Sequence, residues 1–202
     1  MSQTSDEVEI LRIETLSAEH FPLRRYRFRQ RRRDGTGATV VRRIYELGES
    51  IAVLPVDRRR GTVLLTRQLR LPAFLNGDEA RLVEACAGHI EPGDEAEATA
   101  RREAEEELGY RLGALVPVFS LYMSPGSITE KLHFFLADYE PAMKQSEGGG
   151  LAAEGEDIEV LETTIETACR MIEAGQIVDA KTVLLLQHAR LSGAAAPSAG
   201  QS

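Results

Sequence analysis

Period-two alternation marks the first part of the chain. In Arg25-Tyr26-Arg27-Phe28-Arg29 the aromatic residues fall on one face and the arginines on the other, as in a half-buried strand. Strands are predicted over 7–18 and 22–33, and from Val40 to Leu47 beyond the turn chemistry of Asp34-Gly35-Thr36-Gly37. Two apolar runs, Ile51–Val56 and Thr62–Thr66, flank Asp57-Arg58-Arg59-Arg60-Gly61 and predict a hairpin with a polar loop. Leu82 to Ala87 reads as another strand, running into Gly88. The period then lengthens: a Glu- and Ala-rich helix is predicted over about 95–108, with Asp94 as N-cap, Glu97 three residues later and Gly109 as its stop.

Strand signals return at Ala114–Tyr122 and Lys131–Asp138, around the turn Ser124-Pro125-Gly126-Ser127. A polar loop from Pro141 to Asp157 carries Gly148-Gly149-Gly150, which reads as a hinge. A short strand, Ile158–Leu161, precedes two helices, the first capped by Thr163 with Glu166 and the second starting at Asp179. The interleaving predicts an α/β (α+β) fold with a mixed sheet behind an N-terminal antiparallel strand block. The expected division is an arm over 1–47, a main domain over 48–192 and a small, polar, disordered tail over 193–202.

Composition narrows this only where it is uneven. The 202 residues carry 24 Lys plus Arg against 32 Asp plus Glu, a formal charge of −8, with 43% hydrophobic and 28% charged residues. That excludes a mainly disordered chain. Between Arg24 and Arg43, however, nine arginines face one acid, a local +8 that leaves −16 for the rest. Cys86 and Cys169 are too few for a disulfide scaffold, and no His/Cys cluster has zinc spacing. The opening residues lack the pattern of a secretory signal, and no apolar run approaches the roughly 18 residues of a membrane span, so a cytoplasmic protein is expected.

On a helical wheel at about 100° per residue, Ala96, Ala100, Ala104 and Leu108 share one side. Glu103 and Glu106 occupy an adjoining arc, and Glu107 falls among the alanines. Like charges at i,i+3 and i,i+4 destabilise a helix by about 0.2–0.5 kcal/mol each. A carboxylate turned toward the packed face costs more unless a cation meets it. Mg²⁺ takes oxygen ligands and bridges carboxylates to substrate phosphates, so one reading is a metal site for phosphate chemistry. The other is an exposed charged helix, partly neutralised by Arg101 and Arg102; periodicity alone does not choose between them.

The spacing of the whole segment does. Gly88, five residues, Asp94, seven residues and Arg102-Glu103-Ala104-Glu105-Glu106-Glu107-Leu108-Gly109-Tyr110 resemble the Nudix box, with Asp94 where the box usually has Glu. The resemblance extends to Leu75-Asn76-Gly77, Glu84-Ala85-Cys86-Ala87-Gly88, Leu121-Tyr122-Met123-Ser124-Pro125-Gly126 and His133-Phe134-Phe135. It continues through Gly148-Gly149-Gly150, Glu156-Asp157-Ile158-Glu159-Val160-Leu161 and Asp179-Ala180-Lys181-Thr182-Val183-Leu184. Over roughly residues 38–190 the chain looks like the GDP-mannose pyrophosphatase branch of the nucleotide-sugar and ADP-ribose Nudix hydrolases.

The resemblance implies an α-β-α Nudix sandwich and Mg²⁺-dependent cleavage of a pyrophosphate, with Mn²⁺ as a substitute. It implies Glu103 and Glu107 as main metal ligands, with Glu106 nearby and the Ala87 carbonyl completing the set. Glu156 matches a further ligand or catalytic base on a mobile loop, and Gly88 matches a position left open for the diphosphate. Asp94 corresponds to the acid that pairs with the box arginine, here Arg102. Arg70 and Lys181 match phosphate- or sugar-contacting cations, Glu130 a sugar-contacting carboxylate and Arg42 a nucleotide-contacting arginine. Arg43 stands where relatives usually have Glu, which accepts from guanine's donor edge as arginine does not. His20 stands near where a base-stacking tyrosine would be. The implied substrate is a nucleoside diphosphate sugar, GDP-mannose first, with ADP-ribose or another ADP-sugar as the alternative.

The resemblance also implies a homodimer with exchanged N-terminal strands, which would account for the arginines of the arm. The alternatives of another class are nucleic-acid binding by that arm and a non-catalytic nucleotide-binding protein. An acidic body, 5% aromatic residues and no Trp weigh against nucleic acid. Cys86 reads as a small buried residue, His89 and His133 as structural or solvent-facing, and Ser124 as part of a turn, since it lacks a Gly-x-Ser-x-Gly frame.

Overall fold

A computed structural model describes residues 5–193, so most of the tail expected over 193–202 lies outside the described residues. The alternating N-terminal segments form a three-stranded antiparallel sheet of β1 (Val8–Ser17), β2 (Leu23–Arg31) and β3 (Gly37–Tyr45). Tyr26 pairs in register with Arg42 and Phe28 with Val40, whereas Arg25 lies between Glu14 and Arg43 on the other face. Tyr26 and Phe28 are half-buried, while Arg27 and Arg43 are exposed. The arm's charge is partly neutralised from within, by Arg25–Glu14, Arg29–Glu9 and Arg24–Glu46 ion pairs.

These strands, through Glu49, form one compact unit together with Leu121–Lys131. Tyr45 ties the two pieces, its N–H donating to the Ser127 carbonyl (2.8 Å) and its carbonyl accepting from the Thr129 N–H (3.1 Å).

The second unit holds Ser50–Ser120 and the chain from Leu132 onward. Most of a mixed seven-stranded sheet lies here: β4 (Glu49–Asp57), β5 (Thr62–Leu69), β6 (Arg81–Glu84), β7 (Cys86–His89), β8 (Leu115–Tyr122), β9 (Lys131–Asp138) and β10 (Glu159–Thr164). Its order is β10-β5-β4-β9-β8, with β6 on β5 and β7 on β4. The unbroken apolar run of β4 marks a strand covered on both faces, and Ile51 to Leu54 are fully buried.

Helices complete the α/β class expected, with four departures in detail. A short helix α1 (Leu71–Leu75) follows β5; it buries none of its residues, so no apolar period announces it. The strand expected over Leu82–Ala87 is two strands that change partner at Ala85, whose N–H leaves the ladder for Thr182 Oγ1 (2.7 Å), and β7 continues through Gly88 to His89. Helix α2 (Ala96–Glu103) is entered from Glu95 rather than capped by Asp94, and no side chain caps it. Helix α3 (Ile165–Glu173) is capped by Thr164, not Thr163, because β10 keeps pairing one residue further. Helix α4 (Ala180–Leu191) starts at Asp179 as expected, Oδ2 accepting the Thr182 N–H (3.0 Å). Among the described residues no helix is long and apolar enough to cross a membrane.

Candidate active site

The alanine side of α2 does what its composition predicts. Ala100, Ala104 and Leu108 are fully buried in a core with Ile51, Val53 and Cys86. The last turn departs from a plain helix: Ala104–Leu108 is a π-helical turn, closed at Gly109. Such turns widen the helix locally and re-aim side chains, and they recur at functional sites. Glu107 lies in this turn and is 2% exposed, an acid carried into the packed face.

Its compensation is slight. The Ala87 N–H donates to Glu107 Oε2 at 3.4 Å and the Cys86 thiol supplies a second hydrogen bond. Burial, together with the charges of Glu103 and Glu156, pushes the Glu107 pKa up to about 8 despite those bonds. Glu103 is pushed up to about 7, by burial first and then by Glu106 and Glu156, against the pull of Arg102. The neighbouring Cys86 thiol is also raised, by burial and by Glu107, which fits an inert core residue. Arg102 pairs with Glu103 (2.7 Å) and Glu106 (2.9 Å) and not with Asp94, so the expected link from Asp94 to this arginine is absent.

Gly88 is open for a nearer reason than the one expected: a Cβ there would run into the Glu103 carboxylate itself. The triple glycine is likewise not a free hinge. The N–H groups of Gly149 and Gly150 donate to the carbonyls of Glu107 (2.9 Å) and Glu106 (3.0 Å), satisfying the end of the π turn. Beyond this anchor the Leu151 N–H donates to Glu156 Oε2 (2.8 Å), which fixes that carboxylate near Glu103 and Glu107. Nothing in the sequence pattern announced the anchor, since glycines signal permissive backbone without saying what it docks on.

Ala87, Gly88, Glu103, Glu106, Glu107 and Glu156 therefore come together. Their donors are all hard oxygens, and their like charges lack a sufficient cation, so the set fits a hard divalent cation. Among the described residues, no three His, Cys, Asp or Glu side chains are gathered tightly enough to hold an ion alone.

Arg70 and Lys181 meet at a residue that sequence reasoning missed, Glu84. Both donate to its carboxylate, and Lys181 also donates to Asp179. A lone acid in the apolar strand Leu82–Ala87 was the available signal. Four expected substrate residues belong to the other unit. There His20 packs edge-on against Phe21, Arg42 Nη1 donates to the Val41 carbonyl, Arg43 projects from β3 opposite Arg25, and Glu130 lies just before β9. A cavity of about 670 Å³ lies elsewhere, against β5, β6 and the turn after α3, lined by Arg67, Arg81, Met171 and Gln176. Its arginines are already paired with Glu159 and Asp157.

The NUDIX domain family matches residues 46–186, from the end of the arm into α4, and this span includes every carboxylate just described. The chain belongs to the Nudix family. Its similar Nudix relatives include two named GDP-mannose pyrophosphatase. That of Pectobacterium atrosepticum is 42% identical over 190 residues, covering 94% of this chain and 97% of the relative. That of Cronobacter sakazakii is 44% identical over 187 residues, covering 92% and 96%. The crystal structure of an ADP compounds hydrolase superposes with a TM-score of 0.71 at 21% identity, over 96% of this chain and 98% of that one, a likeness of fold.

Proposed function

We propose that this Nudix protein hydrolyses the pyrophosphate bond of a nucleoside diphosphate sugar, foremost GDP-mannose to GMP and mannose 1-phosphate. The observation that carries the reading is the Glu107 carboxylate, buried beside Glu103 and Glu156 with too little positive charge to balance it. Both full-length relatives named for this activity support the choice of substrate.

Glu103, Glu106, Glu107, Glu156 and the Ala87 carbonyl would hold Mg²⁺, with Mn²⁺ as a substitute. When bound, such an ion neutralises diphosphate charge and lowers the pKa of an attacking water. Glu156 has one carboxylate oxygen occupied by the Leu151 N–H; the other would serve either as the further metal ligand or as the base that takes a proton from water. Arg70 and Lys181 bind anionic oxygens of the substrate, Gly88 keeps the backbone beside Ala87 bare, and Glu130 takes the sugar. Arg42, Arg43 and His20 take the nucleotide. Arg43 offers only donors, which favours a second reading, an ADP-ribose or ADP-sugar pyrophosphatase.

The arm over 1–47 is read as exchanging between the subunits of a cytoplasmic homodimer, leaving 48–192 as the hydrolase domain. The half-buried Tyr26 and Phe28 face of its sheet supports this, and light scattering that returned a monomer would remove it. Incubation with Mg²⁺ and GDP-mannose, ADP-ribose, ADP-glucose or UDP-glucose tests the function. One substrate should dominate, and chelator should abolish its turnover. Turnover of none leaves a binding protein on a Nudix frame.

A further inference from the structure

We propose that Glu84 is a positioning residue for the reaction, holding Arg70 and Lys181 as one two-cation clamp for acceptor oxygens of the substrate. The inference rests on the reading of those two cations as substrate contacts.

Glu84 ends β6 with its side chain 4% exposed. Its Oε2 accepts from Arg70 Nε (2.8 Å) and lies 2.7 Å from Arg70 Nη2 in the same ion pair, and its Oε1 accepts from Lys181 Nζ (2.9 Å). Asp179 Oδ1 takes a second Lys181 proton at 2.9 Å. The two cations come from distant parts of the chain, the residue after β5 and the second residue of α4, and one buried carboxylate brings them together. Without it they would repel each other.

Donor counting shows what remains. A guanidinium has five N–H groups and an ammonium three. Glu84 takes the Nε–H of Arg70, while Glu84 and Asp179 take two protons from Lys181. The clamp therefore keeps about four N–H groups on Arg70 and one on Lys181 for a ligand. Fixing both side chains in advance lowers the ordering cost of binding.

A purely structural role fits less well. Buried ion pairs are weak sources of stability compared with apolar residues of similar volume. The attachment of α4 to the β6–β7 junction is made without Glu84: Thr182 Oγ1 accepts the Ala85 N–H (2.7 Å) and donates to Asp179.

A double-mutant cycle of Glu84→Gln with Lys181→Met tests this, read on KM, kcat and thermal melting. Glu84→Gln should raise KM about tenfold with kcat within about threefold, and in the Lys181→Met background it should add clearly less, about threefold, because only Arg70 is then left for Glu84 to hold. Kinetics of Glu84→Gln within twofold of the parent, or effects that multiply independently, would overturn the proposal. Should Glu84→Gln fail to fold, Glu84→Asp replaces it: a raised KM with parental melting supports the clamp, and an unchanged KM sinks it. If the parent protein turns over no nucleoside diphosphate sugar, the proposed function fails separately. The same cycle is then read on the dissociation constant of inorganic pyrophosphate, where additive effects or no binding by the parent count against the clamp.

Discussion

Replacing Gly148 with Ala tests whether the triple glycine anchors the carboxylate helix. Gly148 has φ +68°, where a Cβ costs about 1–2 kcal/mol. Here the Cβ also meets backbone, lying 2.6 Å from the Leu108 carbonyl carbon and against the Glu107 carbonyl oxygen. Neither atom belongs to a flexible side chain, so the loop itself must lift from the helix end. Lifting breaks the Gly149 and Gly150 N–H bonds to the carbonyls of Glu107 and Glu106. At about 0.5–1.5 kcal/mol per bond, these add about 1–3 kcal/mol, for a total of about 2–5 kcal/mol. Gly175 provides the control: its φ is +70°, but nothing lies within 4 Å of its Cβ, so only the strain applies. Urea unfolding of both variants in chelator measures the difference. Gly148→Ala should be the less stable by about 1–3 kcal/mol and should lower kcat by at least about tenfold, as Glu156 drifts with Leu151. Equal destabilisation in the two variants refutes the anchor.

Other expectations follow from the charges. Glu107→Gln should cut turnover by roughly 10²-fold or more, since several kcal/mol of charge stabilisation pass through this group; an unchanged rate removes it from the site. The same residue governs stability in chelator. Glu103 and Glu107 have folded pKa values of about 7 and about 8, above their ordinary 4.5. Their contribution is therefore fully present below about pH 4.5 and is lost as pH rises through about 8. Melting temperatures in EDTA should fall across that window, less steeply for Glu107→Gln; a flat profile contradicts the burial argument. The hairpin network has the opposite sign. Arg60 bonds to Asp57 and Glu162 hold both carboxyls below their usual range, so this stability is present at neutral pH and lost as acid protonates them. Tyr139→Phe, which removes the hydroxyl bonded to Thr62 (2.6 Å) and Glu162 (2.8 Å), should cost about 1–2 kcal/mol with KM unchanged; denaturant titration and steady-state kinetics check both.

Much of this was legible in one dimension, because it depends on neighbours along the chain. Alternation put Tyr26 and Phe28 on one strand face, two apolar runs around a polar loop predicted the β4–β5 hairpin, and Asp179 announced α4 through a bond to a residue three positions on. The alanine stripe and the glutamates beside it likewise predicted which side of α2 packs and which gathers acids. What the linear pattern could not supply was the partner at long range. The carbonyls at the end of the π turn find their donors at long range, in Gly149 and Gly150, some forty residues away. Ala85 breaks a strand because Thr182, on another helix, takes its N–H. Glu84 is a lone acid among apolar neighbours in the sequence, and only the fold brings Arg70 and Lys181 to it. Local period and capping chemistry thus determined the elements and the acids they carry. Only tertiary contact decided how deeply Glu107 is buried and which cations are held together, because hydrogen bonds and desolvation act through space.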